Sequence, residues 1–217
     1  MTSVTNSIPS RDYTKAFKVK VGGQTFILYR DTVCNTSKHF KNAAEASPAH
    51  WETNDTMLLK LLGFDSLVFD VYADWVNTKK LVVKGFWWDL RVGWNPEHHF
   101  HKTCVEAYIL GDHLGDVAFQ QSVLDAMLTL MPGWRFHLGR ELIVRIWTVK
   151  LKDSLLKTIV MRWALNRFNE DFVTTMAGDV RVPREFFSDL ASAAIHRINR
   201  TNGEENQIDL RALVNKD

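Results

Sequence analysis

One short segment of the sequence contains four side chains of types that bind transition metals. They are His98, His99, His101 and Cys104, and imidazole and thiolate groups are ligands for zinc and copper. Their spacing argues against a shared ion, because in a strand His99 and His101 point to one side and His98 to the other. No CxxC pair elsewhere in the chain adds further ligands. We predict a solvated, histidine-rich loop without metal or cofactor. A metal-binding protein or enzyme that uses His98–Cys104 is the alternative.

The sequence gives little support to catalysis. It contains no GxSxG, no P-loop lysine, no GxGxxG after a strand and no HExxH. A nucleophilic Cys34 would need a base beside it, and we expect His39 to lie on another face of the same helical segment. Cys34 is therefore interpreted as a core thiol. We predict no catalytic residues and a protein that is not an enzyme.

Aromatic residues are concentrated in the segment 84–103, which includes Trp87, Trp88 and Trp94. Large aromatic side chains are frequent anchors at protein interfaces. They could equally pack beneath the C-terminal helices as ordinary core, and we favour this because large exposed apolar patches are uncommon on monomers. The three tryptophans remain candidates for protein binding.

Composition limits the classes of partner and compartment. The chain has 217 residues, 46% of them hydrophobic, with 27 basic and 25 acidic side chains and a net charge of +2. This composition supports a buried core and gives no overall field for a polyanion, so we expect no nucleic acid. Two cysteines, no secretion signal and no apolar run of membrane-spanning length indicate a reduced protein of the cytoplasm, the nucleus or both, without a membrane partner.

Local patterns predict a mixture of strands and helices in the first half of the chain. Apolar and lysine residues alternate in Ala16–Val21, and Gly22-Gly23 separates them from Gln24–Tyr29, which predicts a tight hairpin. Short helices are expected next, within Asp31–Ala44, with Asp31 as cap. A strand at Thr56–Leu62, apolar on both faces apart from Lys60, should follow. The last two elements are a helix at Phe64–Asn77 with Asp65 in its first turn, and a short strand at Lys80–Lys84.

The second half is predicted to be helical. Cys104–Leu114 and Val117–Met131 form a helical hairpin in which Asp116 caps the second helix. Beyond an ambiguous stretch at Arg135–Leu151, Asp153 can cap a helix that carries Leu155 to Ala164. Another helix begins near Pro183. Its apolar stripe is Phe186, Phe187, Leu190, Ala194, Ile195 and Ile198, and we expect it to be core.

The order of these elements resembles the BTB/POZ domain. The matching stretches are FKVKVGGQTFILYRDTVCNTSKHFKNA, ETNDTMLLKLLGFDSLVFDVYADWVNTKKL and VEAYILGDHLGDVAFQQSVLDAML. Asp31, Ser37 and Phe40 match the family's spacing after the hairpin. Further matches are Phe69, Tyr72 and Trp75 in the aromatic helix, and Tyr108, Gly111 and Asp112 in the helix that follows. The chain departs from the family in having Asn77 where a tyrosine is usual, in the long insertion at 84–103, and in lacking a recognisable second domain.

The resemblance implies an α+β fold, and together with the polar composition of the two ends it divides the chain into four parts. These are a flexible N-terminus at 1–15, a BTB/POZ domain at 16–133 with an insertion at 84–103, a helical extension at 134–200 like that of many fungal members, and a loosely ordered tail at 201–217. It implies a module for homo- or hetero-association, with a substrate adaptor for a cullin-3 ubiquitin ligase as an alternative. The candidate protein-binding residues are Asp31, His39, Phe40, Ser66, Asp70, Asp74, Asn77, Trp87, Trp88 and Trp94.

Overall fold

The computed structural model describes residues 14–83, 96–130, 139–151, 155–166 and 170–201, and they form an α+β fold. The strands are β1 (Ala16–Val21), β2 (Gln24–Tyr29) and β3 (Thr56–Leu61). The N-terminal helices are α1 (Arg30–Cys34), α2 (Lys38–Glu45), α3 (Pro48–Thr53), α4 (Ser66–Thr78), α5 (Pro96–Leu114) and α6 (Val117–Leu130). The C-terminal helices are α7 (Arg140–Thr148), α8 (Leu155–Asn166), α9 (Glu170–Ala177) and α10 (Arg184–Thr201).

The three strands form one mixed sheet in the order β2-β1-β3. β1 pairs antiparallel with β2 and parallel with β3. Gly22 and Gly23 join the first pair, and both have positive φ, which glycine adopts without a steric penalty. The hairpin predicted from the sequence is therefore confirmed, and the parallel third strand gives the sheet its mixed topology.

The inner face of the sheet packs on the helices, and the alternation of side chains explains this. Phe17, Val19 and Val21 of β1 are fully buried, while Lys18 and Lys20 between them are exposed. β3 carries apolar side chains on both of its faces, as the sequence indicated, but the two faces differ in burial. Leu58 points outward and is exposed, because a strand with one covered face buries only alternate side chains.

Aromatic rings fill the core between the sheet and the helices. Phe17 lies 5.1 Å from Phe40 and 5.2 Å from Trp51, measured between ring centroids. Tyr72 lies 4.9 Å from Phe119 in an edge-to-face arrangement, which aromatic pairs favour. These contacts join β1, α2, α3, α4 and α6 into one core.

Several helix boundaries differ from those predicted. Asp31 does not cap α1, because the helix already begins at Arg30 and Asp31 lies in its first turn. Asp65 is the cap of α4 rather than a residue of its first turn, since its carboxylate accepts a hydrogen bond of 2.8 Å from the N–H of Leu67. The short strand expected at Lys80–Lys84 is wrong for the described residues 80–83, which form no strand.

The C-terminal helices pack on one another and on α5. Leu142, Ile143 and Ile146 of α7 are buried, as is Phe186 of α10. The stripe predicted for α10 is wrong at its far end, where Ile195 and Ile198 are exposed because the covered face of the helix does not extend that far. Three predictions fall outside the described residues: Asp153 as a helix cap, Pro132-Gly133 as the end of the helix that begins at Val117, and almost all of the flexible termini.

Candidate functional site

The histidine-rich segment is helical, so the prediction of a solvated loop is wrong. α5 begins at Pro96, and proline is well suited to the first turn of a helix. His101 and Cys104 are both buried, and burial raises the pKa of the Cys104 thiol far above its usual range. The side chains of His98 and His99 lie outside the described set. In the described part of the chain, no three His, Cys, Asp or Glu side chains come together as a metal site requires.

Cys34 has the properties of a core thiol. It is half-buried at the end of α1, and burial raises the pKa of its thiol to about 11. A nucleophilic cysteine needs the opposite shift, because the thiolate is the reactive form. The ring of His39 lies against Phe40 and against His113, at centroid distances of 5.5 and 5.6 Å. The contact between His39 and His113 therefore connects α2 to α5.

The residues that resemble the family's motif after the hairpin occupy different environments. Phe40 is fully buried in the core, so a partner cannot reach its side chain in this conformation. Ser37 caps α2: its hydroxyl accepts from the N–H of Phe40 at 3.4 Å and donates to the carbonyl of Leu114 at 2.8 Å. Asp31 is partly exposed on α1. Of the protein-binding candidates between residues 31 and 40, Asp31 and His39 have surface that a partner can contact.

A buried polar cluster joins α4 to the start of α6. The carboxylate of Asp116 accepts hydrogen bonds from the N–H of Phe119 at 3.0 Å and from the hydroxyl of Tyr72 at 3.1 Å. The predicted cap of α6 is therefore confirmed. Burial, followed by the charge of Asp116, raises the pKa of Tyr72 well above its usual value of 10.0. This cluster positions the helices and is closed to solvent.

One face of α4 brings together the four polar candidates Ser66, Asp70, Asp74 and Asn77, spaced by three or four residues. Asn77 is exposed, and its side-chain amide donates to the carbonyl of Ala73 at 2.9 Å. The other three are partly buried. Leu67 lies one turn before Asp70 and is exposed, so this face combines an apolar contact with two carboxylates. Trp87, Trp88 and Trp94 lie outside the described residues.

The outer face of the sheet is a surface that the sequence did not reveal. The alternation of lysine and apolar residues in β1 indicated that one face of the strand is exposed to solvent. Which residues of β2 and β3 lie beside its lysines follows only from the pairing of the three strands. Lys18 lies between Ile27 and Leu58, and both of these are well exposed. Lys20 lies beside Lys60. The sequence contained two indications of this surface, namely Lys18 and Lys20 in β1 and Lys60 in β3.

No model of a known protein family matches the chain, and no curated protein matches it either. Among the described residues, no helix combines the length and the apolar composition that crossing a bilayer requires. The function is therefore inferred from the residues and their arrangement.

Proposed function

We propose that the chain is a non-enzymatic module for protein–protein association of the BTB/POZ type. The observation that carries the proposal is the order of elements: a glycine hairpin, short helices, a third strand parallel to the first, the aromatic helix α4, and the tight α5–α6 pair. This is the order in which the sequence resembles that family. The weakly acidic thiols of Cys34 and Cys104 also favour a role other than nucleophilic catalysis.

Self-association is the first form of this function to test. Rings from α2, α5 and the loop between β3 and α4 meet near the surface: Phe64 lies 5.1 Å from His113, which lies 5.6 Å from His39. His113 is exposed and Phe64 is partly exposed. The phenyl ring of Phe64 can bury apolar area in an interface, and the two imidazole rings can do so while retaining polar nitrogens.

Size-exclusion chromatography with light scattering tests this form directly. We expect a mass of twice 25.0 kDa at micromolar protein, and a shift towards the monomer for His113→Asp. The matched control is His196→Asp, an exposed histidine on α10, which should leave the mass unchanged. A strictly monomeric wild-type chain would reject self-association, and co-purification read by mass spectrometry would then decide association with other proteins.

A second candidate is an adaptor for a cullin-3 ubiquitin ligase, favoured by the exposed Leu67 next to Asp70 and Asp74 on α4. A cullin-3 N-terminal fragment should capture the wild-type chain and lose it when both acids are replaced (Asp70→Arg with Asp74→Arg). The matched control replaces two exposed acids elsewhere, Asp125 and Asp171, with arginine. Absence of capture, or equal loss in the control, would reject the adaptor.

A further inference from the structure

The outer face of the sheet carries nine side chains, and all of them except the buried Ala16 are exposed. The residues that belong to this face follow from the strand register, because alternate residues of each strand point to this side. The set is Ala16, Lys18 and Lys20 from β1, Thr25, Ile27 and Tyr29 from β2, and Thr56, Leu58 and Lys60 from β3. Ile27 is 61% exposed and Leu58 is 58% exposed, on either side of Lys18. We call this set the outer sheet face.

The charges on the outer sheet face are all of one sign. Lys20 is the direct neighbour of Lys60, and Lys18 lies two residues along the same strand. Like charges opposite one another across two strands destabilise a sheet. None of the nine side chains is acidic, and these three lysines form no ion pair with any residue the structure describes. Negative charge supplied from outside would relieve this repulsion.

We propose that the outer sheet face binds an acidic segment of a partner protein, whose apolar side chains cover Ile27 and Leu58 while its carboxylates pair with Lys18, Lys20 and Lys60. This deepens the proposed association function and rests on it. Complementary charge steers the encounter and fixes the register, and apolar contact at the centre supplies most of the affinity.

Two other occupants fit the same face less well. A second copy in symmetric contact would place three lysines against three lysines, because a two-fold interface uses the same patch on both subunits. A nucleic acid would neutralise the lysines but would leave Ile27 and Leu58 without an apolar partner. Tyr29 is the one aromatic side chain in the set on which a base could stack. An acidic protein segment satisfies both the charge and the apolar pair.

The test is selection of a random peptide library on the full-length chain, followed by affinity measurements on the enriched peptides. We expect enriched peptides to combine several Asp or Glu residues with Leu, Ile or Phe. Replacing Lys18 and Lys60 with glutamate should weaken their binding about ten-fold, and raising the salt concentration should also weaken it. The milder pair Lys18→Gln and Lys60→Gln should act in the same direction, and it keeps the test valid if the glutamate variant does not fold.

Matched controls separate the surface from general effects. Lys102→Glu with Lys150→Glu changes the charge by the same amount at exposed positions of α5 and of the segment after α7. The apolar contact is tested with Ile27→Ser, and its control is Val117→Ser, at an exposed apolar position of α6. Only the sheet variants should weaken binding. Enrichment of basic peptides, affinities that the sheet variants leave unchanged, or tighter binding of a single-stranded RNA probe would overturn the proposal.

The same experiment distinguishes failure of this inference from failure of the association function. Acidic peptides whose affinity depends on His113 or Asp70 but not on Lys18 and Lys60 would leave association standing and remove the outer sheet face as its site. No enriched peptide, together with a monomeric chain that co-purifies with no protein, would overturn both.

Discussion

At the scale of single residues, Asp116 holds the centre of the N-terminal half. It is fully buried, and its two hydrogen bonds satisfy a backbone N–H at the start of α6 and the hydroxyl of Tyr72 on α4. Replacing Asp116 with alanine removes a helix cap and leaves a buried hydroxyl without its acceptor. We expect Asp116→Ala to lower the free energy of unfolding by about 2–4 kcal/mol.

Urea unfolding followed by circular dichroism measures this change. Tyr72→Phe removes one bond and keeps the cap, so its cost should be smaller, about 1–2 kcal/mol. Asp125→Ala, at an exposed position of α6, is the control and should change the free energy by less than about 0.5 kcal/mol. If Asp116→Ala also changed the free energy of unfolding by less than about 0.5 kcal/mol, the cluster would not hold the helices together.

The reactivity of Cys34 is a second prediction at this scale. Burial raises the pKa of this thiol from 9.0 to about 11. Because a raised pKa keeps the thiol protonated, the thiolate fraction of Cys34 near pH 8 is about 100-fold below that of an unperturbed cysteine. Alkylation by iodoacetamide, located by peptide mapping, should be slower by at least this factor in the folded chain.

The pH dependence gives the control. In the folded chain the alkylation rate of Cys34 should continue to rise to about pH 11. In urea it should level off near the ordinary pKa of 9.0, because unfolding removes the burial. A folded-state rate that levels off below pH 9 would contradict the interpretation of Cys34 as a core thiol.

At the scale of elements, the packing of α5 against α6 leaves no room for a side chain at Gly111. A Cβ atom at this position would lie 2.7 Å from Cγ of Gln120 and 3.1 Å from Cδ1 of Phe119. Gly111→Ala would raise helix propensity by about 1 kcal/mol, but the overlap occurs against buried side chains. We expect the overlap to dominate and the variant to lose about 1–3 kcal/mol of unfolding free energy.

A second substitution isolates the cause. Gln120→Ala removes Cγ, and its Nε2 has no hydrogen-bond partner within the described residues, so this change alone should cost little through lost hydrogen bonds. Combined with Gly111→Ala, it should recover part of the lost stability in thermal or urea unfolding. A more stable Gly111→Ala variant would show that the helices separate without cost.

The elements that the sequence predicted are those with a local cause. The hairpin follows from alternation and two glycines, α4 from a broad apolar arc, and the cap of α6 from Asp116. Two short helices, α3 and α9, were not predicted. Short helices are marginal alone and depend on tertiary contacts, such as the ring of Trp51 against Phe17.

The candidate surfaces could be predicted only in part for the same reason. The polar face of α4 follows from helical periodicity, so Ser66, Asp70, Asp74 and Asn77 were found together. Phe40 was named as a contact because it matched a motif, but its burial depends on β1 and α4 packing around it. The outer sheet face needs the pairing of strands far apart in sequence, which a one-dimensional pattern does not contain.

At the scale of the whole molecule, the N-terminal part and the C-terminal helices meet where α5 packs on α7. The guanidinium of Arg145 donates two hydrogen bonds to the carboxylate of Glu106, at 2.8 and 2.9 Å. On the same helix, the indole of Trp147 donates to Asp189 of α10 at 2.9 Å. The C-terminal helices therefore attach as a group that has buried side chains of its own.

This arrangement predicts that the N-terminal part folds without the C-terminal helices. The aromatic core around Phe17, Phe40, Tyr72 and Phe119 lies entirely before residue 131. A chain that ends after residue 133 should therefore show the far-UV circular dichroism of a mixed fold and a cooperative urea transition. Its midpoint should be lower than that of the full chain, because the truncation exposes the α5 surface and leaves Glu106 without Arg145.

A shorter chain that ends after Asp116 provides the matched control. It also lacks α6, and with it the buried Phe119, Leu124 and Met127 that close the core over Tyr72. Loss of several large apolar side chains costs several kcal/mol each, comparable to the whole stability of a domain. This chain should have no cooperative transition. If the chain ending after residue 133 also lacks one, the C-terminal helices are part of a single folding unit and the predicted boundary near Gly133 is wrong.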